Sequence, residues 1–140
     1  MTTKVRYCGD MTFLGVSETK HSVVMGASPK SGGEGAAPSP MEMVLLGLAG
    51  CSGMDVVSIL KKKRVEFDGY QMDVSGERAD DHPKVFTKIH VDFVFTGRDL
   101  KEKPFEDAVR LSVEKYCSVA GMLRTTAEIT WDVKIQETTA

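Results

Sequence analysis

Ser39-Pro-Met-Glu-Met-Val-Leu-Leu-Gly-Leu-Ala-Gly-Cys51-Ser-Gly-Met-Asp-Val-Val-Ser-Ile-Leu-Lys-Lys-Lys63 is the stretch that decides the fold of this chain. It opens with helix-start chemistry: Ser39 in the N-cap position, Pro40 at the first helical position and Glu42 three residues after the cap, as in a capping box. It closes on Lys61-Lys62-Lys63-Arg64, cations at the negative end of a helix dipole. Apolar residues are nearly continuous from Met43 to Leu60, which predicts a helix reaching about Lys63 and buried on most of its sides. Gly47, Gly50 and Gly53 recur at every third position. Each costs about 1 kcal/mol against alanine in a helix interior, so the pattern predicts a close backbone approach or a bend.

On the N-terminal side, Val5 and Tyr7, then Met11, Phe13 and Gly15, then His21 to Met25 read as three short strands, with turn signals at Gly9-Asp10 and Ser17-Glu18. From Gly26 to Pro40 the composition changes to Gly, Ser, Ala and Pro, which predicts a long loop of the kind that is usually functional or mobile. On the C-terminal side, Phe67 to Glu77 and Val85 to Phe95 alternate and form a hairpin. Phe86, Ile89, Val91, Phe93 and Phe95 supply most of its apolar face. A second helix is expected from about Pro104, with Phe105, Val109, Val113, Cys117 and Gly121 four apart on an inward stripe. A last strand runs from Ala127 to Gln136, with Ile129, Trp131, Val133 and Ile135 alternating. The order βββ-α-ββ-α-β is segregated α+β, and 140 residues suit a single domain, 1–140.

Composition excludes several classes. With 18 Lys+Arg against 20 Asp+Glu the net charge is -2, which carries no electrostatic footprint for nucleic acid. The uncharged run Met43 to Met54 is shorter than the roughly 20 apolar residues of a membrane span. The N-terminus passes directly into alternating residues, without the apolar core of a secretion signal, so a reducing cytoplasm is the expected location. There a structural disulfide is disfavoured. Three cysteines then require explanation: Cys8, Cys51 and Cys117. They form no CxxC pair, and His21, His82 and His90 are scattered over turn and strand positions, so no metal site is indicated. Cys8 reads as an ordinary strand thiol. For Cys51 and Cys117, one in each predicted helix, buried inert thiols and a redox pair brought together by helix packing both remain open.

The stretch from Ser39 to Cys51, followed later by Glu114-Lys-Tyr-Cys117-Ser-Val, resembles the OsmC/Ohr superfamily, and more narrowly its OsmC-like branch. The resemblance runs over nearly the whole chain. It implies an intertwined homodimer whose sheets wrap around two central helices, and thiol peroxidation as the chemistry. Cys51 would then be the peroxidatic residue and Cys117 the resolving one, with small hydroperoxides as substrates. An external dithiol, lipoyl-type or another thiol, would serve as reductant, and no tightly bound cofactor is implied. Glu42 carries over as an acidic catalytic residue acting with an arginine across the subunit interface. It precedes Cys51 by nine positions, roughly 13 Å of rise and half a turn, so it cannot reach its own Cys51. The chain departs from the pattern in placing Met41 after Pro40 where the family normally has the glutamate, and Arg6 is the only arginine before the helix. Arg6, Lys20 and Lys30 are the candidates for the group that activates Cys51. A ligand-binding module of the same fold without efficient peroxidase activity is the alternative.

Overall fold

Alternation between Thr3 and Gly26 produces an antiparallel three-stranded meander, β1 (Thr3–Tyr7), β2 (Thr12–Ser17) and β3 (Ser22–Gly26), in the order β1-β2-β3. The computed structural model describes residues 1–138. Gly9, Asp10 and Met11 all take positive φ between β1 and β2, the left-handed backbone that the Gly-Asp signal called for. The Gly26–Pro40 segment is more ordered than its composition suggests. It carries a 3-10 turn at Pro29–Ser31 and folds back on β3 through Gly26 N–H to the Pro38 carbonyl at 2.9 Å and Gly35 N–H to the Ala27 carbonyl at 3.1 Å.

Gly33 is essential to that fold-back, because a Cβ there would lie 2.1 Å from the Ala27 carbonyl oxygen. That neighbour is backbone and cannot swing aside. Gly33→Ala is expected to cost about 3 kcal/mol, at the upper end of overpacking penalties, measured as a lowered denaturant midpoint at unchanged slope.

The chain divides into two compact units, Met1–Val44 and the remainder from Leu45 on. Helix α1 (Pro40–Lys62) begins in the first unit and continues through the second. Its start is the expected capping box: Ser39 N–H donates to Glu42 Oε2 at 2.7 Å, and Glu42 N–H donates to Ser39 Oγ at 3.2 Å.

The second unit is built on a sheet of β4 (Gly69–Arg78), β5 (Phe86–Gly97) and β6 (Glu128–Glu137). β4 and β5 are antiparallel, and β5 and β6 are parallel. A parallel neighbour needs a long crossover, which the helical segment between β5 and β6 supplies. Phe86, Ile89, Val91, Phe93 and Phe95 are all buried on β5, as their alternation requires. They pack with Leu48, Val56 and Leu60 of α1 and with Phe105, Ala108 and Val109 in one core. Tyr70 stacks on Phe95 at 4.4 Å, and Phe95 meets Phe105 at 4.4 Å.

Two expectations are corrected. Helix α1 is not buried on most sides: Leu48, Ser52, Gly53, Val56 and Leu60 form one covered stripe, while Leu46 and Met54 are 56% and 76% exposed. The sheet of the second unit covers a single helix face, so a nearly continuous apolar run leaves apolar residues outside. Of the three spaced glycines only Gly53 meets a neighbour, where a Cβ would lie 2.7 Å from Met72 Cε; Gly47 and Gly50 face open space. By length and composition α1 would also pass as a membrane span. Its Leu48-Val56-Leu60 stripe is instead buried against the protein, and Asp55 interrupts it.

The second correction concerns the other helix, which is broken. Helix α2 (Glu102–Leu111) runs into a π-helical turn at Ser112–Tyr116, and a new short helix, α3 (Ser118–Leu123), starts after Cys117. Cys117 has φ -67 and ψ 110, an extended backbone. The inward stripe therefore holds for Phe105, Val109, Val113 and Cys117 but ends there, and Gly121 is exposed.

Candidate functional site

The covered stripe of α1 places Ser52, 1% exposed, beside Ser112, which is fully buried. Ser112 Oγ lies 3.1 Å from the Ser52 carbonyl and 3.0 Å from Asp55 Oδ2, two acceptors for one hydroxyl proton. Ser112 thereby fastens the start of the π-turn to α1 next to Cys51. At the other end of that turn Cys117 N–H donates to the Ser112 carbonyl at 2.8 Å. A chain of hydrogen bonds thus runs from the Cys51–Ser52 segment to Cys117 through a single serine.

The result is a pair of neighbouring thiols. Cys117 is 3% exposed, and Cys51 is half-buried. The Cys117 thiol is pushed up to about 11, first by burial; the Ala120 N–H, which donates to its sulfur at 3.4 Å, pulls it back, and hydrogen bonding with Cys51 pushes it up further. Burial therefore favours the protonated form of Cys117. That leaves Cys51, the more accessible of the two, as the candidate nucleophile. Cys8, on the first unit, is exposed and outside this pair.

The other candidates from the sequence belong to other parts of the chain. Glu42 is exposed, and its carboxyl is held below the usual range by the Ser39 backbone N–H and then by the Ser39 side chain, the capping arrangement already described. Arg6 on β1, Lys20 in the β2–β3 turn and Lys30 in the 3-10 turn are exposed residues of the first unit, whereas both paired cysteines belong to the second. His90 is a strand residue hydrogen-bonded to Thr130 at 2.7 Å. With Asp92 and Asp132 it makes a compact polar group that includes neither cysteine of the pair, and Lys134 already pairs with Asp92 at 2.8 Å.

Sequence reasoning missed Ser112, Asp55 and Arg124. Arg124 follows α3 and donates to the carbonyls of Ala120, Glu114 and Val113, on both sides of Cys117. Nothing in the periodicity marks it, because its partners are backbone carbonyls exposed only by the helix break.

Beside this arrangement Gly50, Gly53, Met54, Val57, Tyr70 and Met72 line a mainly apolar groove of about 590 Å³. The Tyr70 hydroxyl is buried with no hydrogen-bond partner among the described residues, and burial raises its pKa.

Comparison with known proteins shows the family and the fold. The family described as OsmC-like protein matches residues 32–132. Protein YhfA of Escherichia coli K12 is 44% identical over 96% of this chain and 98% of its own length. A crystal structure of a hypothetical protein from Aquifex aeolicus VF5 superposes with a TM-score of 0.80 at 33% identity, over 96% of each chain. A structure from Legionella pneumophila titled as an organic hydroperoxide resistance protein OsmC superposes with a TM-score of 0.73 at 18% identity, covering 96% of this chain and 97% of that one, and shares the fold.

Proposed function

This chain belongs to the OsmC-like family, and from that premise we propose that it is a cysteine-based hydroperoxide reductase of the cytoplasm. The observation that supports the reading is that a buried Cys117, its thiol raised by burial and by the neighbouring Cys51, sits at the helix break that Ser112 fastens to α1 beside the more accessible Cys51. The thiolate of Cys51 attacks the distal oxygen of a hydroperoxide ROOH. The S–O bond forms as the O–O bond breaks, the leaving alkoxide takes a proton to become ROH, and Cys51 becomes a sulfenic acid. The sulfur of Cys117 then attacks the sulfenic sulfur, forming the disulfide and releasing water. An external dithiol, lipoyl-type or another thiol, donates two electrons and two protons to restore both thiols. No tightly bound cofactor enters this sequence.

The working unit in this reading is a homodimer. Val5, Tyr7, Val23, Val24, Leu46 and Met54 are apolar and between 42% and 76% exposed in a single chain. A second copy is the occupant that fits, since Glu42 lies half a turn and roughly 13 Å from Cys51 on its own helix and reaches a thiol only from another subunit.

The test is a count of thiols in a Cys8→Ser background. One equivalent of an organic hydroperoxide should consume two thiols with Cys51 and Cys117 present and none after Cys51→Ser. Unchanged thiols in both would overturn the peroxidase and leave the groove to the binding-module alternative.

A further inference from the structure

We infer that Arg124 is a positioning residue for the Cys51–Cys117 exchange, its guanidinium holding the broken helix in the shape that presents Cys117 to Cys51. The inference rests on the reading of that pair as the redox centre, and its geometry is independent of it.

The break creates a local deficit of donors. In an uninterrupted α-helix the Val113 and Glu114 carbonyls would accept from the N–H groups of Cys117 and Ser118. Cys117 N–H instead bonds the Ser112 carbonyl at 2.8 Å, and the extended backbone at Cys117 carries Ser118 out of helical register. Two carbonyls are thereby freed next to a buried thiol, and at the buried Val113 an unmet acceptor is costly. Arg124 supplies both donors: Nη2 bonds the Val113 carbonyl and Nη1 the Glu114 carbonyl at 3.2 Å. Its Nε reaches back to the Ala120 carbonyl in α3 at 3.3 Å. One planar fork therefore joins the helix piece before Cys117 to the piece after it. A lysine cannot reproduce this, since its ammonium is a single centre and the three carbonyls lie on two elements.

This brace complements the Ser112 anchor. Ser112 fixes the first residue of the π-turn to α1 beside Cys51, and Arg124 ties the next two, Val113 and Glu114, to α3. Cys117 lies between them, with its sulfur accepting from Ala120 N–H. Releasing the Arg124 end lets the turn unwind while the core contacts of Phe105, Ala108 and Val109 remain buried.

The experiment compares Arg124→Met and Arg124→Lys with the parent in a Cys8→Ser background. After an organic hydroperoxide, sulfenic acid formation on Cys51 should stay within about twofold of the parent, while disulfide formation slows about tenfold in both variants, the scale of misplacing one reacting group. Without peroxide, and with Cys51→Ser added, alkylation of Cys117 should be faster in Arg124→Met. Its pH midpoint should fall below that of Cys51→Ser alone, toward the ordinary thiol value, as the buried thiol becomes hydrated. Arg110→Met, which removes an exposed guanidinium that bonds none of these carbonyls, should change neither rate.

Parent-like disulfide formation and parent-like alkylation in Arg124→Met would overturn the inference, as would full rescue by Arg124→Lys. If the parent forms no disulfide with any hydroperoxide, the functional reading fails, and the alkylation arm still decides whether Arg124 holds the turn. Arg124→Lys, which keeps the stem and one donor group, provides both readings should Arg124→Met not fold.

Discussion

Cys117→Ser will reduce one equivalent of an organic hydroperoxide and then stall. The first step needs only Cys51, so its rate should be close to that of the parent. Without the second sulfur the sulfenic acid has no intramolecular partner, and further peroxide carries it to sulfinic acid, which thiols do not reverse. Steady-state turnover with a dithiol should fall at least about 100-fold, the order expected when a positioned reactant is replaced by one from solution. Mass spectrometry should find two added oxygens on the Cys51 peptide. The substitution is structurally mild, because a serine hydroxyl also accepts from the Ala120 N–H and is a favoured helix cap. A loss of turnover therefore reads as chemistry rather than unfolding. Normal recycling by this variant would remove Cys117 from the mechanism.

The same step has a pH signature in the parent protein. Burial, the largest cause of the raised Cys117 thiol, persists once Cys51 is oxidised, so its thiolate is scarce at pH 7. Disulfide formation limited by that thiolate should rise about tenfold per pH unit between pH 7 and 9. A flat profile between pH 7 and 9 would mean that the proton is removed by another group as the bond forms.

The order of elements was legible because each rests on short-range chemistry. Ser39, Pro40 and Glu42 announced a helix start, and the structure repeats their two reciprocal hydrogen bonds. Ile89 to Phe95 alternate in sequence, and Ile89, Val91, Phe93 and Phe95 are buried. What failed was legible only in three dimensions. The fourfold spacing from Phe105 to Gly121 predicts one helix, because a π-turn adds a residue without disturbing the apolar stripe before it. Arg124 left no signal at all, since a side chain that bonds carbonyls becomes meaningful only once the break has freed them. For α1 the reading was right about apolar content and wrong about what covers it. A sequence reports the total apolar surface an element must hide, and it does not say whether its own chain hides it.

If the proposed homodimer forms through the uncovered face of α1, Met54→Asp is expected to convert it into a monomer for that reason. Met54 is 76% exposed on the uncovered stripe of α1 and lines the groove with Gly50, Val57, Tyr70 and Met72. Gly47 and Gly50 keep that side of the helix low, with nothing within 4 Å of where their Cβ atoms would be. Such a face admits another helix closely. Burying a methionine side chain is worth about 1.5–3 kcal/mol, and a twofold interface counts the substitution twice. An aspartate in its place adds the cost of removing a charge from water. The dissociation constant should rise by at least about 1000-fold, which corresponds to about 4 kcal/mol, and sedimentation equilibrium measures it directly. Leu46→Asp, 56% exposed on the same stripe, should act in the same direction. If both variants dissociate like the parent, this face is not the interface. If they dissociate and also lose peroxidase activity while Cys51 remains accessible to alkylation, the site needs its partner. Mixing Cys51→Ser with Glu42→Gln would then restore part of the activity, because in the mixed dimer an intact Glu42 faces an intact Cys51 across the two chains.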